Sequence, residues 1–196
     1  VTAVLVIGTG HCGTSAVAGA LCEMGVWMGE RFGPSRRYPV YEDAEMAEVV
    51  EQVIEACVLD LPLAGNPFVP LVRARERRPL WGFKYPHLVW TLDWLLDILD
   101  DVRIVVVDRN EAGTIASCRR SCRLSQERAK AWYDCVCAAI ERFVAGYPGA
   151  VLRVQYEELV EDPRREITRL AGFVFDGETV AEERLERAVE LIRRPV

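Results

Sequence analysis

The feature that most limits what this chain can fold into is a β-branched run that enters a glycine-rich turn and leaves it as a helix. It reads Val4-Leu-Val-Ile-Gly8-Thr-Gly10-His11-Cys12-Gly13-Thr14-Ser15 and continues as an apolar-periodic stretch from Ala16 to Met24. A strand over about 3–8 and a helix over about 13–25 are expected. Glycines let a backbone approach a ligand closely, and the first N–H groups of a helix have no intrahelical partner. A turn of this kind binds phosphate or sulfate through those donors and the positive end of the helix dipole.

Downstream the same alternation repeats. A loop over 29–39 is followed by a helix over about 41–59, with Ala44, Ala47, Val50, Ile54 and Val58 at helical spacing. Residues 60–79 read as an irregular excursion ending in Arg73, Arg75, Arg77 and Arg78, a cluster expected to be solvated. A short strand over 80–84 leads, through Pro86, into a helix to about Leu99. Strands over 102–108 and 150–155 flank helices over about 111–120 and 126–145. Asp162-Pro163 opens a helix reaching about Ala171 with Gly172 as its stop, and 180–193 is one more amphipathic helix. Strands alternating with helices imply a three-layer α/β/α domain with a central parallel sheet. Ligands in such sheets bind at the carboxyl ends of the strands, so the loops after Ile7, Phe83, Val107 and Val154 matter most.

At 196 residues the chain is expected to form one domain. Its net charge of −6 argues against a nucleic-acid-tracking surface but leaves room for a local basic pocket. Apolar runs such as 102–107 are too short for a membrane span, and no basic leader precedes the first strand. The seven cysteines are odd in number and irregularly spaced, which favours free thiols in a reducing, cytoplasmic setting. Cys118 and Cys122 share a helix face at i, i+4, but with His11 and His87 the only histidines and no Cys-x-x-Cys pair, no metal is expected.

Three readings compete for residues 8–15. Gly8-x4-Gly13 has the span of a triphosphate loop, but Thr14 stands where lysine should follow, which speaks against ATP or GTP chemistry. Gly8-x-Gly10-x-x-Gly13 fits a dinucleotide fingerprint, with Glu30 at the distance of a ribose-binding acid, so an NAD- or FAD-linked oxidoreductase stays open. Third, Gly8-Thr-Gly-His-Cys-Gly-Thr-Ser15 resembles the 5′-phosphosulfate loop of sulfotransferases that use 3′-phosphoadenosine 5′-phosphosulfate (PAPS). Three further stretches resemble the same family in the same order: Gly82-Phe-Lys84-Tyr-Pro86-His87, then Arg103-Ile-Val-Val-Val-Asp-Arg109 with Ser117, then Val154-Gln-Tyr156-Glu157-Glu-Leu159 with Asp162-Pro163. The resemblance spans about 3–175 and implies a P-loop-like fold, PAPS as cofactor with 3′-phosphoadenosine 5′-phosphate (PAP) as product, and a small-molecule or carbohydrate acceptor.

The resemblance also implies roles. Gly10, His11, Cys12, Gly13, Thr14 and Ser15 would hold the 5′-phosphate, through backbone N–H groups and the two hydroxyls, while Thr14 and Ser15 also cap the helix. Arg109 and Ser117 would hold the 3′-phosphate, provided the helix after Arg109 begins near Glu111, where Asn110-Glu111 replaces the family's Asp-Pro. His11 replaces the family's arginine or lysine. As a cation beside the leaving oxygen it would make turnover fall as pH rises above its bound-state pKa; without that charge, a catalytically weak PAP-binding domain is the alternative. Glu42, in a Tyr-Glu-Asp stretch similar to the family's Phe-Glu-Asp, is the expected general base, with Asp43, Glu30 and His87 as alternatives. Lys84 would stabilise the transferring oxygens.

Overall fold

A computed structural model describes residues 1–29 and 41–193. Four strands, β1 (Thr2–Gly8), β2 (Leu80–Lys84), β3 (Asp101–Asp108) and β4 (Ala150–Gln155), form one parallel sheet in the order β2-β1-β3-β4. The apolar runs read as interior strands are so because both sheet faces are covered. Val4, Val6, Val105 and Val107 point to one face and pack with α1 (Thr14–Met24), α7 (Tyr156–Glu161), α8 (Pro163–Val174) and α9 (Glu182–Arg193). Ala3, Leu5, Ile7, Ile104 and Val106 point to the other, against α2 (Ala44–Val58), α3 (Val69–Arg75), α4 (Leu92–Leu96) and α6 (Gln126–Gly146). α5 (Glu111–Cys122) leads from β3 to α6. The three-layer α/β/α architecture expected from the alternation is the observed one.

The strand order places a reversal beside β1: the chain goes to one side of it for β2 and to the other for β3. A crevice opens there at the carboxyl ends of the strands. The glycine turn after β1 and the segment after β3 therefore meet, although 98 residues separate His11 from Arg109.

Local structure departs from the expected elements in four places. The excursion 60–79 contains α3, and Arg75 is 4% exposed rather than solvated. Its guanidinium bonds both oxygens of Asp43 at 2.7 Å, so burial is compensated by a paired charge. The helix expected from about 41 begins at Ala44, because the Asp43 carboxylate caps it, accepting from the N–H groups of Glu45 and Met46 at 3.1 Å. The helix expected over 86–99 breaks into a 3-10 turn, Leu88–Trp90, and the short α4; the Thr91 hydroxyl donates to the Leu88 carbonyl and competes with continuous helix. Finally, α8 runs through Gly172 to Val174. Burial of Leu170, Ala171 and Val174 outweighs a glycine cost of about 1 kcal/mol.

No strand of the kind a dinucleotide fold would need follows α1 among the described residues. Gly25, at φ 109°, ends the helix with its N–H donating a bifurcated hydrogen bond to the Leu21 and Cys22 carbonyls, and Trp27 makes only an isolated bridge to Trp81. Glu30 and the rest of the loop 30–40 lie outside the described residues.

Candidate active site

The turn after β1 is sealed from below. A Cβ on Gly8 would lie 2.5 Å from Cys12 Sγ and 2.9 Å from the Val107 carbonyl. Cys12 is fully buried there, its thiol pushed up in pKa by burial, so its side chain is not in the cleft and only its backbone can serve a ligand. Gly13 takes φ 101° and starts α1; a Cβ on it would lie 2.2 Å from the Tyr156 ring. Only glycine suits that backbone and that neighbour.

No side chain caps α1. The Thr14 and Ser15 hydroxyls expected to cap it are thus not used that way, and the positive helix end stays available. Ser15 Oγ instead accepts from the Lys84 ammonium at 3.1 Å. Lys84, at the end of β2, is 2% exposed and also pairs with Glu42 Oε1 at 2.6 Å. Burial pushes its pKa down and Glu42 opposes that shift.

Arg109 enters from β3 and donates to the His11 carbonyl at 3.2 Å. Its guanidinium carbon lies 4.5 Å from the Tyr156 ring centroid, and its buried Nε has no partner. Asn110 caps α5 by accepting from the Gly113 N–H at 2.7 Å and is held by Glu157. The Asn-Glu pair thus starts the helix at Glu111, the condition for Ser117 to face the strand ends, and Ser117 does line the cleft.

His11 occupies left-handed backbone at φ 57°, which residues other than glycine seldom adopt. Burial, then Lys84 and Arg109, push its pKa down. The shift disfavours the charged form, so the cationic role expected of His11 requires a bound anion that raises its pKa. Lys84 and Arg109 add a smaller, coulombic part to the lowering that burial produces.

These groups border a cleft of about 760 Å³. Gly10, His11, Gly13, Thr14, Ser15, Glu42, Lys84, His87, Arg109 and Ser117 all line it. Asp43 does not: its carboxylate is consumed by Arg75 and the α2 cap, which removes it as a base. His87 stays eligible, with Nδ1 2.6 Å from Glu51 Oε1. The sequence reading missed two supports. Tyr156 packs against both Gly13 and Arg109, and Trp132 donates its indole N–H to the Thr9 carbonyl at 3.1 Å. The aromatic following β4 was a usable signal for the first; nothing local marked the second.

Residues 30–174 match the model of a sulfotransferase family, a segment that starts after the glycine turn and includes Glu42, Lys84, Arg109 and Ser117. No curated protein sequence matches significantly. Among solved structures, the sulfotransferase domain of the Synechococcus PCC 7002 olefin synthase superposes with a TM-score of 0.65 at 19% identity, covering 96% of this chain and 77% of that one. Sulfotransferase STF1 from Mycobacterium tuberculosis H37Rv gives 0.60 at 17% identity, covering 96% and 70%. Retinol dehydratase in complex with androsterone and inactive cofactor PAP gives 0.54 at 14% identity, covering 97% and 64%. The structural matches establish a shared fold, and the family match covers most of the chain: it belongs to the sulfotransferase family.

Proposed function

We propose that this chain transfers a sulfuryl group from PAPS to a hydroxyl or amine of a small-molecule or carbohydrate acceptor. The observation that carries the reading is the convergence of Lys84, Arg109 and an uncapped helix start on one cleft, with Glu42 the carboxylate at its Lys84 end. The residues fit a ligand with two anionic ends. The α1 turn offers one seat; Arg109, whose buried Nε lacks a partner, offers the other with Ser117. PAPS supplies an activated sulfuryl group whose displacement develops negative charge on the leaving oxygen.

Glu42 favours the charged form of Lys84 against burial, and Ser15 aims the ammonium at the start of α1, so the charged lysine neutralises that charge without rearranging. His11 contributes a hydrogen bond from the same turn. Glu42 takes the acceptor's proton, and its pairing with Lys84 places base and cation on one side of the cleft. Pro86, Trp132, Val160, Leu191 and Ile192 give the cleft apolar walls that exclude water from the reacting groups. A second group for the base is favoured by one observation: Glu51 fixes His87 Nδ1, an orientation that presents the other ring nitrogen as an acceptor.

Transfer of radiolabelled sulfate from PAPS to a panel of hydroxyl acceptors tests the reading. Glu42→Gln is expected to lower the rate by about 10²- to 10⁴-fold, the range of a lost general base, and His87→Asn by less than tenfold. The reverse order moves the base to His87. Binding of PAP with no transfer to any acceptor would make the chain a binding domain.

A further inference from the structure

We propose that His11, Cys118 and Cys122 form a three-ligand site for a zinc-class divalent cation on the wall of the anion cleft. A ring nitrogen of His11 and the two sulfurs all lie within 4.8 Å of one another, and His11 Nε2 is 3.2 Å from Cys122 Sγ. In a tetrahedral zinc site, bonds of about 2.3 Å to sulfur and 2.0–2.1 Å to nitrogen put ligand atoms roughly 3.5–3.8 Å apart. The 3.2 Å separation falls a few tenths of an ångström short of that edge and the 4.8 Å bound exceeds it by about an ångström, so closing the site requires only shifts of that size.

The scaffold holds the ligands independently. Cys118 and Cys122 sit one turn apart on the same face of α5, whose start is fixed by the Asn110 cap. His11 is pinned by its own backbone, through the Arg109 bond to its carbonyl. Sequence spacing hid the site because the third ligand comes from a turn 111 residues away from Cys122.

Two sulfurs and one imidazole select zinc-class ions over magnesium or calcium, which prefer oxygen. On binding, the two thiol protons leave as thiolates form and the imidazole enters neutral. All three residues line the cleft, so the fourth coordination position opens to water or to an anionic oxygen of a ligand. Metal occupancy also withdraws the His11 nitrogen from any other partner. The site stands on its own geometry and does not require the chain to transfer sulfuryl groups.

Titration of chelator-stripped protein with Co²⁺ tests this without cofactor or acceptor, so its outcome is separate from that of the transfer assay. One equivalent is expected to bind with a near-ultraviolet sulfur-to-cobalt absorption, displaced by Zn²⁺. Cys122→Ser and His11→Ala should each weaken binding about tenfold or more, and Cys118→Ser/Cys122→Ser should abolish the sulfur band. Cys57→Ser, on the exposed face of α2, should leave it unchanged. Cys122 is exposed, so its single variant decides the matter even if loss of the buried Cys118 impairs folding. No sulfur-to-cobalt band in the wild type, or an unaltered titration of Cys122→Ser, overturns the site.

Discussion

Thr14 stands where a triphosphate loop carries lysine, and Lys84 brings a cation to the same helix start from β2. A lysine so buried is tolerated because Glu42 pairs with it, and its pKa is still pulled below the ordinary lysine range. The sign of the resulting pH dependence follows. Only the ammonium stabilises developing negative charge, so sulfuryl transfer should fall as pH rises through the lowered Lys84 pKa, earlier than for an ordinary lysine. Lys84→Arg keeps its charge throughout that range. Rate–pH profiles should therefore show the alkaline fall in the wild type and lose it in Lys84→Arg, whose plateau is lower by about tenfold or more because the planar head fits the site poorly. An identical alkaline fall in both would remove Lys84 from that role. The sequence showed Lys84 and Glu42 as separate candidates. Their pairing was not legible, because it is made across two elements by tertiary contact, and the same holds for Tyr156 on Gly13.

Elements were legible where periodicity and capping agreed. β1, β3, β4, α1 and α6 follow directly from apolar runs and periodic stretches bounded by turns. Failures came where a tertiary partner decided. Arg75 lies in text that reads as a solvated basic loop, yet it terminates α3 and locks onto Asp43. That pair joins the start of α2 to α3, and the same carboxylate caps α2. Asp43→Ala removes the cap, worth about 0.5–2 kcal/mol, and leaves the buried guanidinium with Glu45, at 3.3 Å, as its remaining ionic partner, a loss below the ~3–5 kcal/mol of a fully unpaired charge. A total of about 3 kcal/mol is expected, lowering Tm by roughly 6–12 °C for a chain of this size. Calorimetric melting checks this, and a shift below about 3 °C would contradict the load assigned to the pair. Because α2 begins two residues after Glu42, the variant should also impair sulfuryl transfer.

At the scale of the whole molecule, charge is distributed against the average. The chain carries a net −6, yet its cleft gathers Lys84 and Arg109 at the end of a helix dipole. Composition excluded a broad polyanion surface but was silent on this local inversion. The sheet explains it: β2 and β3 flank β1, so residues ending all three strands converge where the connections reverse. Fold class and most cleft residues were readable from motif order, since Lys84 ends a strand and Ser15, Arg109 and Ser117 each follow one. The loop 30–40, which contains Glu30, one of the alternative bases, lies outside the described residues. No described helix is long and apolar enough to cross a membrane.

The central claim is that this cleft holds a nucleotide with two separated anionic ends through the α1 turn and Arg109. Calorimetric titration of wild type and Arg109→Ala with PAP, NAD and ATP tests it most directly. The account predicts one PAP site in the wild type, preferred over both other nucleotides and weakened about 10- to 100-fold by Arg109→Ala, as befits one lost charge-assisted contact of about 1.5–3 kcal/mol. Preference for NAD, or PAP binding that ignores Arg109→Ala, would contradict it.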